Sequence, residues 1–324
     1  MTVRPRRIGF GSWLLVTEPY RILALDGGGL RGIFTAAVLA EAEAAYGPSF
    51  LQRFDLMAGT STGGILALGL ASGRTCAEML RFYRDTGPQI FATPRRIRQA
   101  FRPKYDRRVL DDILRNEFGA TTLMNDLHTP VCVTAYELVS GTNRVWKDDH
   151  STELRGGGDL PVWKVAAATS AAPTYFAPVQ LDAADSHIDG GVWGNNPAMV
   201  GLTEAVRYAS RDLSDIRMLS IGTTSQALQV STHTAATVMG LAHWANKALG
   251  LLHSSSSAAT DNQARLLLGD ARYLRIDSDR TRTVKLDDAT QCRPLEEWGH
   301  NAGRLHVAKI GQLLDLERQG RKTE

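Results

Sequence analysis

Residues 54–64, Phe-Asp-Leu-Met-Ala-Gly-Thr-Ser-Thr-Gly-Gly, constrain this chain more than any other stretch. An apolar run predicts a buried strand, and the small apolar residues 65–72 predict a helix. Between them a G-x-S-x-G pattern places Ser61 on a tight strand-to-helix turn that only small flanking residues permit. The pattern also arises by chance in a chain with 30 glycines, but its context favours a nucleophilic serine.

A second glycine turn lies one strand earlier. Residues 20–25 predict a buried strand, residues 26–32 (Asp-Gly-Gly-Gly-Leu-Arg-Gly) a loop, and residues 33–46 a helix. Consecutive glycines let backbone N–H groups approach an anion closely. A nucleotide phosphate loop needs G-x-G-x-x-G or G-x-x-x-x-G-K-[ST], and neither spacing is present here. An oxyanion hole needs only two or three converging N–H groups, so this use is favoured beside a serine turn.

Strands and helices alternate along the rest of the chain. Strands are predicted at residues 130–138 and 217–221, and helices at residues 162–170 and 198–209. This alternation predicts an α/β fold with three layers, α/β/α, in which a mostly parallel central sheet carries helices on both faces. No long linker is apparent, so we expect a single domain over residues 1–324, with core motifs in about 20–224 and a C-terminal extension packed on them.

The C-terminal part has its own pattern. Residues 235–252 have amphipathic helical spacing, which indicates a packed helix or a helix at a membrane interface. Residues 254–257 are predicted to form a short flexible tract, and residues 261–268 and 300–318 to form helices.

The composition limits the classes of protein to which this chain can belong. A hydrophobic content of 43% and a charged content of 22% are ordinary for a soluble globular protein, and a net charge of +3 is too small to indicate binding to a nucleic-acid polymer. The three scattered cysteines predict no disulfide framework and no metal site, and they fit a reducing cytoplasm. The N-terminus resembles a signal peptide only superficially, and no stretch reaches the ~18 to 20 apolar residues of a membrane span.

Residues 94–108 form an unusually basic segment, which we call the basic segment. It has seven basic residues, one acid, and aromatic and aliphatic residues between them. The alternatives are a solvated surface, a patch for lipid headgroups, and a pocket for an anionic ligand. The basic side chains are Arg95, Arg96, Arg98, Arg102, Lys104, Arg107 and Arg108.

A nucleophilic serine needs a base, which is usually a histidine held by a carboxylate. Among the eight histidines, His187, His300 and His306 are candidates for such a triad. The alternative base is Asp189, at a strand end beside a glycine turn, where burial would raise its pKa. Because Asp-Gly is also a common turn signal, this residue alone does not decide between a base and a turn aspartate.

Three motifs in this chain resemble, in their order, those of the patatin-like phospholipase family. They are residues 26–32, 59–63 and 189–191, and residues 168–176 (Ala-Thr-Ser-Ala-Ala-Pro-Thr-Tyr-Phe) resemble a further family block. The match covers roughly residues 20–224. Each motif is weak alone, but their conjunction is specific. The resemblance implies a patatin-like α/β/α fold.

The resemblance also implies a role for each matching residue. Ser61 is expected to be the nucleophile and Asp189 its base, in a dyad that needs no histidine, metal or other cofactor. Arg31 is expected to support a loop whose N–H groups form the oxyanion hole, namely Gly27, Gly28 and Gly29. The implied reaction is hydrolysis of phospholipid acyl esters. An apolar acyl groove should adjoin the site, with the expected lining Leu66, Leu68, Ala172, Tyr175 and Phe176.

The C-terminal part is less typical of the plant storage members of the family. Residues 240–257, 273–276 and 286–289 resemble bacterial patatin-like effectors of the CapV type, which act in anti-phage signalling and degrade membrane phospholipids once a cyclic dinucleotide binds. The resemblance therefore implies a cyclic di- or oligonucleotide activator. On the ground of its charge alone, the basic segment is the candidate for a nucleotide pocket or a membrane-facing patch. We expect a cytoplasmic protein that is peripheral to the inner membrane when active, and the sequence leaves open whether it forms a homo-oligomer.

Two other functions stay open on sequence alone. One is a constitutive, histidine-dependent esterase or lipase. The other is a non-enzymatic module that binds lipid or nucleotide on the same scaffold, and the presence of both Ser61 and Asp189 argues against it.

Overall fold

A computed structural model describes residues 4–7, 13–16, 18–94, 102–154, 156–224, 248–278 and 284–318 of the 324-residue chain. Arg95, Arg96 and Arg98 of the basic segment lie outside the described residues, as does most of the helix predicted at residues 235–252. Near the N-terminus, β1 (Arg4–Arg7) and β2 (Trp13–Val16) form an antiparallel pair.

The remaining strands form one central sheet. They are β3 (Tyr20–Leu25), β4 (Leu56–Thr60), β5 (Val131–Glu137), β6 (Thr142–Lys147), β7 (His187–Asp189), β8 (Ile216–Ile221) and β9 (Tyr273–Ile276). Among the described residues the strand order is β6-β5-β4-β3-β8-β9, and β7 also pairs with β5. Neighbours from β5 to β9 in that order are parallel, whereas β6 and β7 are each antiparallel to β5.

Helices cover both faces of this sheet. They are α1 (Gly32–Tyr46), α2 (Thr62–Ala71), α3 (Cys76–Ile90), α4 (Arg107–Phe118), α5 (Val162–Thr169), α6 (Gly191–Gly194), α7 (Ala198–Arg207), α8 (Ala248–Leu268) and α9 (Cys292–Leu314). No helix in the described ranges is both long and apolar enough to cross a membrane.

Side chains of the central strands alternate between two hydrophobic cores. On β3, Leu23 and Leu25 contribute to the larger core with α1, α2, α3, α4, α5 and α9, while Ile22 and Ala24 contribute to the smaller core with α7 and α8. A parallel strand buried on both faces is apolar at nearly every position, which is why these strands appear in the sequence as continuous hydrophobic runs. The two cores confirm the three-layer α/β/α fold with a mostly parallel sheet.

The described C-terminal residues pack on these layers. β9 extends the sheet beside β8, and α9 lies along α1, where the hydroxyl of Tyr46 donates to the carbonyl oxygen of Val307 at 2.6 Å. The flexible tract predicted at residues 254–257 is wrong, because these serines lie within α8. Ser254 and Ser255 donate their hydroxyls to carbonyls three residues earlier, which lets the helix carry them. The prediction of a single domain over the whole chain stays a prediction.

Candidate active site

Ser61 occupies the sharp turn between β4 and α2. Its φ of 54° lies in a region that few non-glycine residues adopt, so the turn is strained. Thr169, at the end of α5, holds the strained backbone because its hydroxyl oxygen accepts the N–H of Ser61 at 2.8 Å. A Cβ at Gly63 would lie 2.1 Å from the carbonyl oxygen of Leu25, so the turn can pack this closely only with glycine there.

Asp189 ends β7 and faces the serine. The hydroxyl of Ser61 donates to Oδ2 of Asp189 at 2.6 Å, and the N–H of Gly191 donates to Oδ1 at 2.7 Å. Both members of the pair are buried, with exposed fractions of 9% for Ser61 and 5% for Asp189. Burial raises the pKa of Asp189 to about 6, and the two hydrogen bonds oppose that rise. The carboxylate is therefore ionised at neutral pH, yet it is a stronger base than an exposed aspartate.

The glycine loop lies beside the serine, with one difference from the expected oxyanion hole. The N–H of Gly27 donates to the carbonyl oxygen of Asn195 at 3.0 Å, so this donor is already engaged. Gly28 and Gly29 line the cavity next to Ser61. Of the three expected oxyanion donors, Gly28 and Gly29 therefore remain the candidates.

A buried ion pair holds the glycine loop in position. Asp26 is fully buried, and the guanidinium of Arg275 donates to both of its carboxylate oxygens at 2.7 Å. The same guanidinium contacts Ser220 at 2.8 Å and Asp277 at 2.9 Å. Burial raises the pKa of Asp26 to about 6, and Arg275 opposes that rise. Since Arg275 is on β9, the C-terminal part of the chain holds the glycine loop in place.

Three further hydrogen bonds fix the loop. Arg31 donates its Nε–H to the carbonyl oxygen of Gly28 at 3.2 Å, and the hydroxyl of Thr223 donates to the carbonyl oxygen of Gly27 at 2.9 Å. On the far side, a backbone bond of 2.8 Å joins the N–H of Leu30 to the carbonyl oxygen of Leu286. Each end of the loop is therefore tied to a different part of the fold.

A mainly apolar cavity opens beside Ser61 and Asp189. Three of its lining residues, Ala172, Tyr175 and Phe176, are among those expected from the sequence. Other apolar side chains in its wall are Leu30, Ile65, Ile90, Phe91, Leu110, Pro173, Val192 and Leu286. The shape and chemistry suit an acyl chain whose ester carbonyl lies at the serine.

The expectation for Leu66 and Leu68 is wrong. Both side chains project from α2 into the larger core, where they are fully buried. Ile65 of the same helix reaches the cavity instead. Every residue of α2 is buried, so its sequence has no polar face from which the orientation of the helix could be read.

The three histidines proposed for a triad do not line the cavity. His187 packs against the ring of Trp146, with ring centroids 5.2 Å apart. His300 pairs with the carboxylate of Glu41 at 2.8 Å, and His306 lies 2.9 Å from a carbonyl oxygen of its own helix. These contacts favour the dyad over a histidine triad.

Two polar residues in the cavity wall, His253 and Asn195, are not among the predicted site residues. His253 belongs to α8 and precedes the serines that predicted a flexible tract. Because of that prediction, the sequence did not indicate that His253 lies on a helix beside the site. The one sequence feature that could have indicated a functional role for His253 is its position within residues 240–257, which resemble the bacterial effectors. Asn195 follows α6, and its side-chain amide donates to the hydroxyl of Ser257 at 3.0 Å.

The described part of the basic segment divides into two kinds of side chain. Arg102 and Arg108 are exposed. Lys104 instead pairs with the carboxylate of Asp287, and Arg107 donates to two main-chain carbonyls, at 2.7 and 3.0 Å. Lys104 and Arg107 therefore hold the fold together at this point.

Within the described ranges, no group of three or more His, Cys, Asp or Glu side chains is placed to hold a metal ion. Residues 23–202 match the family model described as Patatin-like phospholipase. The chain belongs to this family. The matched region contains the glycine loop, the serine turn and Asp189, and membership makes the chain a lipid acyl hydrolase.

Other members of the patatin-like phospholipase family are similar over most of the chain. A cGAMP-activated phospholipase of Pseudomonas aeruginosa is 34% identical over 278 residues, which cover 83% of this chain and 82% of that protein. A cGAMP-activated phospholipase of Vibrio cholerae is 36% identical over 239 residues, which cover 67% of each. Patatin-17 of Solanum cardiophyllum is 27% identical over 318 residues, which cover 85% of this chain and 80% of that protein.

Proposed function

We propose that this patatin-like phospholipase releases fatty acids from membrane phospholipids by means of a Ser61–Asp189 dyad. The observation that carries the proposal is the 2.6 Å hydrogen bond from the hydroxyl of Ser61 to Asp189 in the wall of an apolar cavity. A carboxylate with a pKa of about 6 can accept the serine proton and return it near neutral pH.

The reaction proceeds in two steps. Ser61 Oγ attacks the ester carbonyl carbon while its proton passes to Asp189, and the oxyanion is stabilised by N–H groups of Gly28 and Gly29. The ester C–O bond then breaks, and Asp189 gives the proton to the leaving alcohol oxygen. Water hydrolyses the acyl-enzyme by the same route. Loss of one oxyanion donor would lower the rate on the order of 100-fold or more.

We further propose that a cyclic dinucleotide activates the enzyme and that it acts as a peripheral protein at the membrane surface. The support for activation is the similarity to two bacterial proteins named cGAMP-activated phospholipase, at 34% and 36% identity. Arg102 and Arg108, the exposed members of the described basic segment, are the residues we propose to face an anionic ligand or headgroup.

The test is fatty-acid release from vesicles of phosphatidylethanolamine and phosphatidylglycerol, with and without cGAMP. Ser61→Ala and Asp189→Asn should each lower release by at least about 1,000-fold, because each removes a group that acts in the reaction. Asp270→Asn, which alters an exposed aspartate, is the matched control and should retain wild-type release. Equal release by wild type and Ser61→Ala would refute the dyad, and equal release with and without cGAMP would refute the activation.

A further inference from the structure

His253 is a titratable side chain in the cavity wall that the dyad does not use. Its Nε2 is buried and has no hydrogen-bond partner among the described residues. Buried polar atoms in folded proteins are nearly always satisfied by protein or by water, so an unsatisfied nitrogen in a binding cavity calls for a functional explanation.

The surroundings of Gly191 indicate what that nitrogen contacts. A Cβ at Gly191 would lie 3.1 Å from Oδ1 of Asp189, 3.3 Å from Oδ1 of Asn195 and 3.4 Å from Nε2 of His253. These three polar atoms therefore lie close together beside the Cα of Gly191, in the wall of the cavity. Their number matches the two to four partners that an ordered water on the cavity side of the cluster requires.

The charge state of His253 is compatible with a hydrogen bond between Nε2 and a water. Burial lowers the pKa of His253 to about 4, and the nearby positive charge of Arg31 lowers it further. The imidazole is therefore neutral at pH 7, so Nε2 can form a hydrogen bond with water without competing with Asp189 for the proton.

We propose that Nε2 of His253 positions the water that hydrolyses the acyl-enzyme, at the site bounded by Asp189, Asn195 and His253. The inference rests on the proposed ester hydrolysis. The water oxygen bonds to the acyl carbon, the bond from that carbon to Ser61 Oγ breaks, and a water proton passes through Asp189 to Ser61 Oγ. The products are the fatty acid and the free serine, and His253 itself takes no proton.

Three variants test this role. His253→Leu keeps a similar volume without a hydrogen-bonding nitrogen, while His253→Gln places an amide near the position of Nε2. Gly191→Ala adds a methyl group 3.1 to 3.4 Å from the three polar atoms, which would have to move by a few tenths of an ångström and so would no longer hold the water in the same place. His306→Leu, on a helix outside the cavity, is the control for loss of a histidine.

The measurement is stopped-flow hydrolysis of p-nitrophenyl butyrate with cGAMP present, together with the intact mass of the enzyme. In His253→Leu and Gly191→Ala we expect deacylation to slow by about 10- to 100-fold, because the water is misplaced. A burst of p-nitrophenol and an acyl adduct on Ser61 should then appear. His253→Gln should recover most of the rate, and His306→Leu should match wild type.

The outcomes separate the two proposals. Wild-type deacylation in His253→Leu and Gly191→Ala would overturn the role of His253 and leave the ester hydrolysis intact. Loss of turnover without an acyl adduct, in variants that retain wild-type thermal unfolding and fluorophosphonate labelling of Ser61, would also overturn it. Turnover by Ser61→Ala equal to wild type would instead overturn the ester hydrolysis, and this inference with it.

Discussion

Ser61 and Asp189 are 128 residues apart in the sequence, and their side chains meet at 2.6 Å. β5 brings them together, since Thr134 of β5 pairs with Thr60 of β4, and the next residue, Ala135, pairs with Asp189 of β7. β7 therefore continues along β5 from the point at which β4 ends in the serine turn. A register shift of one residue would turn Asp189 to the opposite face of the sheet.

The activity should depend on pH through Asp189. The base acts in its ionised form, and its pKa is raised to about 6, so kcat/KM should fall as pH drops through about 6 and level off above about 7. The measurement is a pH–rate profile with a soluble ester between pH 4.5 and 8.5. The pKa of Asp26 is also raised to about 6, so Asp26→Asn is the control. This variant should show the same fall in kcat/KM at low pH, at a lower overall rate. A flat profile would contradict the assignment.

Asp189→Asn should be more stable than wild type at high pH. The pKa is raised in the folded state, so the charging penalty is absent below about pH 4, near the unfolded pKa, and grows until the pH passes about 6. We expect a gain of about 1 to 3 kcal/mol in the free energy of unfolding at pH 8, and little gain at pH 4. Urea unfolding at both pH values measures it, with exposed Asp270→Asn as control. An equal gain at both pH values would show that charge is not the cause.

Arg275→Gln should damage both stability and catalysis. It leaves the carboxylate of Asp26 buried without its cation, which destabilises proteins by on the order of 3 to 5 kcal/mol. The glycine loop would shift, so kcat should fall more than KM rises. Arg293→Gln breaks an exposed pair with Glu297 and should cost under about 0.5 kcal/mol. The double variant Asp26→Asn with Arg275→Gln should recover part of the stability, and failure to do so would contradict the pairing.

Ala172→Phe should change the preferred chain length of the substrate. Ala172 lines the cavity, so a larger side chain there fills space that we assign to the acyl chain. The ratio of kcat/KM for long-chain to short-chain p-nitrophenyl esters should fall by about 10-fold or more, since each methylene group excluded from an apolar pocket is worth about 1 to 3 kcal/mol. Val139→Phe, at an exposed position, is the control. An unchanged ratio would place the acyl chain elsewhere.

Reversing the exposed charges of the basic segment should weaken activation. In the double variant Arg102→Glu with Arg108→Glu, the cGAMP concentration for half-maximal activity should rise by about 10-fold or more, because an anionic ligand is repelled. The maximal rate should stay within about two-fold of wild type. Arg293→Glu, an exposed arginine on α9, is the control. An unchanged activation midpoint would leave the segment as ordinary solvated surface.

The parts of this protein that could be predicted are those that depend on short-range pattern. Buried parallel strands appear as apolar runs, and glycine turns around Ser61 and Asp189 mark where the chain must bend sharply, so the fold and the proposed dyad residues can be identified from the sequence.

The parts that could not be predicted depend on long-range packing. The bond that engages the N–H of Gly27 comes from Asn195, far along the chain. His253 is in the cavity wall because the serine run that follows it continues α8, although its composition is typical of a linker. The hydroxyls of Ser254 and Ser255 find acceptors in carbonyls of the same helix. The orientation of α2 follows from the layers around it, since all of its residues are buried.

The ion pair between Asp26 and Arg275 spans 249 positions of the chain. A ribosome completes the serine turn and Asp189 well before it reaches Arg275, so the growing chain has the reacting groups before it has the cation that holds the glycine loop. Domains fold as synthesis proceeds, but this loop gains its cation only after most of the polypeptide has emerged. We therefore expect a nascent chain to hydrolyse little lipid until its synthesis is nearly complete.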